Sequence, residues 1–162
     1  MSTHSPPEPV TVGSRSRRTW PAPRKESASE FAQLAGIHVM VVDDNPDARE
    51  ILQSALQYCG ALVTTLDSAV VALKLLREVR PDVIVTDLAM PRNNGLWLMR
   101  EILALRPDRG GQIPVLAVSA HDDAYDRRRV LDAGFREYLV KPVAIRELSR
   151  VVAQLVARAS TT

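Results

Sequence analysis

Apolar residues along this chain alternate between short unbroken runs and longer stretches in which they recur every three or four positions. The runs suit strands buried on both faces, and the spaced stretches suit helices with one apolar face. Residues 37–42 form the first run. Asn45 and Pro46 follow as an N-cap and a proline at the first helical position. Ile51, Leu52, Ala55, Leu56 and Cys59 then make one helical face, which Gly60 closes. A short strand is predicted over 61–66. Ser68 caps a second helix with Ala72, Leu73, Leu76 and Val79 inward, and Pro81 ends the connection. Residues 83–86 predict a third strand, and 95–105 a helix with Leu96, Met99, Ile102 and Leu103 inward. A fourth strand is predicted over 113–118 and a polar helix over 123–132, closed by Gly134. Residues 136–140 predict the fifth strand, and 144–158 a last helix with Ile145, Leu148, Val151, Val152 and Leu155 at helical spacing.

That pattern is (βα)5. Alternating strands and helices imply an α/β fold: a doubly wound, parallel five-stranded sheet with helices on both faces. The chain has 162 residues, enough for one such domain and a tail. Residues 1–35 carry five of the eleven prolines, many Ser and Thr, and no period, so they read as a disordered leader. Residues 36–160 form the domain, and nothing after the last helix makes an output domain. Met1 and the leader favour a stand-alone protein.

Charge sharpens this division. The leader holds Arg15, Arg17, Arg18, Arg24 and Lys25 against Glu8, Glu26 and Glu30, which accounts for the whole net charge of +2. The folded part is therefore neutral, which weakens the case for nucleic-acid binding by that part. No apolar stretch is long enough to span a membrane, and residues 1–20 lack the hydrophobic segment of a signal peptide. A single cysteine, Cys59, makes neither an internal disulfide nor a zinc cluster. The expectation is a soluble protein of the reducing cytoplasm, with Cys59 a small core residue.

The polar residues are informative by position. Asp43 and Asp44 follow the first strand, Asp87 the third, Ser119 the fourth and Lys141 the fifth. Open parallel sheets bind ligands at these carboxyl ends, and with strand order 2-1-3-4-5 the switch point lies between the first and third strands. Singly, each residue has a plainer reading: the Asp pair as helix-dipole partners, Asp87 as a turn residue, Ser119 as an N-cap, Lys141 as a solvated cation. Together at one sheet edge they point to chemistry. Three carboxylates in one crevice call for a cation, and oxygen ligands suit Mg²⁺. A lysine and a hydroxyl opposite suit a phosphoryl group, and an aspartate so placed can attack phosphorus.

Four segments carry a resemblance. Val41-Val42-Asp43-Asp44-Asn45, Thr86-Asp87-Leu88-Ala89-Met90-Pro91 with Gly95 following, Val118-Ser119-Ala120, and Tyr138-Leu139-Val140-Lys141-Pro142 occur in order at the strand ends. By these, residues 37–157 resemble the CheY-like receiver domain of two-component response regulators, of flavodoxin-like fold. The resemblance implies that Asp87 is the phosphoacceptor. Asp43, Asp44, Asp87 and the Ala89 backbone carbonyl would hold Mg²⁺, and Lys141 would bind the phosphoryl group. Ser119 would be the switch hydroxyl, Tyr138 its coupled aromatic, and Lys141–Pro142 a cis bond. It implies a histidine kinase or histidine phosphotransfer protein as donor and an unidentified protein target. A homodimer through the fourth helix, fifth strand and fifth helix is compatible with it. Asn94 stands where relatives commonly place an acid, and Ala89 and His121 flank the path of water to an acyl phosphate.

Competing readings are a receiver fragment of a hybrid histidine kinase, a nucleic-acid-binding leader with Trp20 among its cations, and a haloacid-dehalogenase-like phosphatase. The last expects a second Asp two positions after the nucleophile, where this chain has Ala89.

Overall fold

The structure, a computed structural model, describes residues 31–120 and 125–161. The predicted leader up to residue 30, and His121, lie outside the described residues. The elements run β1 (His38–Val42), α1 (Pro46–Tyr58), β2 (Leu62–Leu66), α2 (Ala69–Val79), β3 (Val83–Thr86), α3 (Gly95–Leu103), a 3-10 turn (Pro107–Arg109), β4 (Val115–Ser119), α4 (Arg127–Asp132), β5 (Glu137–Val140) and α5 (Ile145–Ser160). All strand pairs are parallel, in the order β2-β1-β3-β4-β5. This is the (βα)5 doubly wound sheet that the hydrophobic pattern implies.

Alternation along β1 divides the core. Val39 and Val41 face α1 and α5 with Leu52, Leu56, Leu148 and Val152. Met40 and Val42 face the other layer with Ala72, Leu76, Leu98 and Ile102. Side chains of successive strand residues point to opposite faces, so one apolar run supplies both layers. Helix starts are fixed chemically: Asn45 Oδ1 accepts from Asp47 and Ala48 N–H, and Asn94 Oδ1 accepts from Trp97 N–H. Asn94, the departure from the resemblance, thus caps α3.

Several boundaries differ from the sequence pattern. Ile51 is 67% exposed, because the inward arc of α1 runs through Leu52, Ala55, Leu56 and Cys59, and Ile51 lies beyond its edge, about 40° past Ala55. Leu103 is likewise exposed, and Leu98 rather than Leu96 is the fully buried leucine of α3. β4 starts at Val115 and α3 ends at Leu103. α4 starts at Arg127 because Asp126 caps it through Arg129 N–H; residues 123 and 124 lie outside the described residues. Ordered packing begins ahead of residue 37. Leu34 is fully buried and its N–H donates to Cys59 O at 2.8 Å, while Phe31 meets Tyr58 edge-on. Residues 31–35 are not helical.

Candidate functional site

The carboxyl ends of β1 and β3 bring the acidic residues together. Asp43 N–H donates to Leu66 O and Asp87 N–H to Val42 O, so both residues continue the sheet ladder by one step. Their side chains emerge side by side at the point where the strand order reverses. Carboxylate oxygens of Asp43, Asp44 and Asp87 lie within 4.8 Å of one another. Asp43 is fully buried, Asp87 partly buried, Asp44 exposed.

Each oxygen of Asp43 has its own donor. Asn45 N–H reaches Oδ1 at 2.9 Å and Lys141 Nζ reaches Oδ2 at 2.8 Å. Arg49, one turn into α1, donates through Nη1 to the Asp43 carbonyl at 2.7 Å. Asp87 is held similarly. Ser119 Oγ and Ala89 N–H donate to Oδ1 at 2.9 and 3.0 Å, and Lys141 Nζ donates to Oδ2 at 3.2 Å. A buried carboxylate is tolerable only with this degree of satisfaction.

Lys141 arrives from β5, and its N–H is tied to Ser119 O at 2.9 Å, which sets the lysine and the hydroxyl beside each other. The Lys141–Pro142 bond is cis. Burial works to lower the Lys141 pKa, but the hydrogen bond and charge of Asp43, joined by Asp87, outweigh it and hold the ammonium above its ordinary value. The lysine is therefore a fixed positive charge between two acids. Thr86 Oγ donates to the Asp87 carbonyl, and α3 packs close behind: a Cβ on Gly95 would lie 2.3 Å from Asp87 O.

Asp43, Asp44, Asp87, Ser119 and Lys141 all converge as their positions at strand ends implied. Tyr138 does not reach this crevice. It is 7% exposed and packs in the apolar cluster that includes Leu88, Met90, Leu98, Met99 and Val130. The aromatic that the resemblance couples to Ser119 thus lies inward, and Ser119 Oγ donates to Asp87 Oδ1. Sequence reasoning missed Arg49 and Asn45 N–H. Their signal is spacing: Asn45 lies two residues after Asp43, and Arg49 six, so the first helical turn points its donors back at the loop.

An ammonium, a hydroxyl and an amide N–H around one carboxylate of the acidic cluster are donors and charges of the kind that suit a cation beside an anionic group. Among the described residues no helix is long and apolar enough to cross a membrane.

Similarity to known proteins agrees. The chain is 40% identical over 121 residues to an uncharacterised 14.6 kDa protein of Leptolyngbya boryana, covering 75% of this chain and 91% of that one. It is 36% identical to response regulator MprA of Mycobacterium sp. (strain KMS) over 76% of this chain and 52% of that protein, so it spans about half the length of that relative. Among solved structures, a response regulator receiver domain from Clostridium thermocellum superposes with a TM-score of 0.70 at 27% identity, over 77% of this chain and 98% of that one. The receiver domain of a sensor histidine kinase from Pseudomonas aeruginosa PAO1, with a magnesium ion coordinated in its active-site cleft, gives 0.67 at 30% identity over 76% and 99%. The family model for the response regulator receiver domain matches residues 39–153. With its parallel 2-1-3-4-5 sheet and the aspartates at the switch point, the chain belongs to the receiver domain family of two-component signalling.

Proposed function

We propose that this receiver takes a phosphoryl group onto Asp87 from a phosphohistidine on a histidine kinase or phosphotransfer protein. The observation that carries this reading is the shared grip on Asp87: Lys141 Nζ on Oδ2, Ser119 Oγ and Ala89 N–H on Oδ1. In the transfer, an Asp87 oxygen attacks phosphorus, the P–N bond breaks, and the imidazole leaves with its electron pair. The product is an acyl phosphate. Lys141 and Ser119 then exchange their hold on the carboxylate for the phosphoryl oxygens, which carry the charge that develops.

The carboxylate cluster fits Mg²⁺. Oxygens of three acids within 4.8 Å of one another are the hard donors this ion takes together with retained waters. Asp43, Asp44 and Asp87, with the Ala89 carbonyl, would hold it. Bound there, the ion would supply positive charge for the phosphoryl oxygens. Receiver domains of sensor kinases among the similar structures support a kinase as the donor. The transfer leaves the domain as a switch, whose readout is a partner that prefers the phosphorylated state.

Intact-mass analysis after incubation with acetyl phosphate tests this. One added phosphoryl group is expected in the presence of Mg²⁺, and none in its absence or in Asp87→Asn. Labelling that persists in Asp87→Asn would overturn the assignment.

A further inference from the structure

Tyr138 sits on β5, the edge of the sheet, where outward backbone groups have no neighbouring strand. Both of its backbone polar groups are nevertheless taken. Its N–H donates to Glu137 Oε1 at 3.0 Å, and its carbonyl accepts from Arg127 Nη1 at 3.4 Å. Arg127 and Glu137 are also ion-paired with each other. Arg127 opens α4, so one guanidinium bridges from that helix to two consecutive residues of the edge strand. Beneath it, Val130 of α4 and the Tyr138 ring share an apolar cluster with Leu88 and Met90, which flank the Asp87 loop. Glu137 is 24% exposed by side chain and Arg127 58%, so the pair is partly sheltered. Burial works to raise the Glu137 pKa; the Arg127 hydrogen bond, the Tyr138 N–H and positive charge outweigh it and hold the acid below its ordinary value.

We propose that Arg127 is a positioning residue: with Glu137 it latches α4 to the edge strand and holds Tyr138 inward. The role of the latch in switching rests on the reading of Asp87 as phosphoacceptor. Structurally, the latch ties the Tyr138 backbone to α4, on the side from which Val130 joins the cluster around its ring. Tyr138 shares its apolar cluster with Leu88 and Met90, and between those two the Ala89 N–H holds Asp87 Oδ1, which also accepts from Ser119 Oγ. Loosening the latch therefore frees the segment that presents Asp87 for labelling.

The test uses the full chain with ¹³C-labelled tyrosine rings. Its three tyrosines are told apart by Tyr138→Phe. In Arg127→Ala, the Tyr138 ring signal is expected to move toward that of a solvent-exposed tyrosine. Acetyl phosphate labelling of Asp87 is expected to slow about three- to fivefold, the scale of one partly exposed ion pair. Arg127→Lys, which keeps a cationic donor facing Glu137 and the Tyr138 carbonyl, should return both readouts toward the original. An unchanged Tyr138 signal in Arg127→Ala overturns the latch, even if labelling slows. If circular dichroism shows that Arg127→Ala is unfolded, Glu137→Gln takes its place and is judged the same way. If the parent chain is never labelled yet the Tyr138 signal still moves in Arg127→Ala, the phosphoacceptor reading fails and the latch stands.

Discussion

Lys141 Nζ lies 2.8 Å from Asp43 Oδ2, a contact between residues 98 positions apart at the ends of β5 and β1. The same ammonium reaches Asp87 Oδ2 at 3.2 Å. One cation thus bridges two carboxylates, one of them fully buried. The arrangement is a stability device as well as a binding one, and the two uses separate under mutation.

Replacing Lys141 by Met keeps much of the side-chain volume but leaves Asp43 buried without its cation. Stability is expected to fall by about 2–4 kcal/mol. Urea unfolding measures this, and added Mg²⁺ should recover part of the loss by supplying the missing charge. A Lys141→Met chain as stable as the parent without Mg²⁺ would show that the contact is incidental.

Gly95 allows α3 to begin against the backbone of Asp87. An alanine there would place Cβ 2.3 Å from the Asp87 carbonyl oxygen, and backbone cannot yield as a flexible side chain does. Gly95→Ala is expected to cost about 1–3 kcal/mol and to lower the rate of Asp87 labelling, because the loop carrying the carboxylate must move. Thermal unfolding and timed mass analysis read the two effects on one sample.

Leu34 closes the core layer between the sheet and α1 and α5, ahead of the first strand. Leu34→Ala should destabilise by about 2–4 kcal/mol, as for other fully buried leucines. A chain shortened to begin at residue 36 should lose at least as much, since it also loses the Leu34 N–H bond to Cys59 O. Urea titration of the two side by side is the check.

Glu137 has a pKa below its unfolded value near 4.5, held there by Arg127, Tyr138 N–H and, at longer range, Arg158 against the opposing effect of burial. A depressed acid contributes stability above its unfolded pKa and loses it as pH falls through the folded one. Glu137→Gln should therefore be less stable than the parent at neutral pH, and the two curves should converge as pH falls through the lowered folded pKa. Parallel curves across the whole range would mean that the ionised form is not favoured by folding.

How much could be seen before the structure depends on range. Strand and helix identity follows from the period of apolar residues, a property of neighbours, so the five units and their caps at Asn45 and Ser68 are legible in the chain. The aspartates, serine and lysine at strand ends are legible too, because a parallel sheet places every carboxyl end on one edge. Exposure at helix margins is not: Ile51 and Leu103 fit an apolar stripe by spacing and still face outward, since the width of the buried arc is set by the partner surface.

What the amino-acid sequence alone determined is the alternation, the sheet it implies, and the set of polar groups at one edge. Only the tertiary structure decided which oxygen meets which donor. Asp43 paired with Lys141, Arg49 turned back onto the Asp43 carbonyl, Leu34 drawn into the core, and Tyr138 inward beneath Arg127 and Glu137 all join groups on different elements. Such pairings arise from strand order, register and helix placement, which no local pattern encodes, because their energy is gained only when distant segments exclude water from the same small volume.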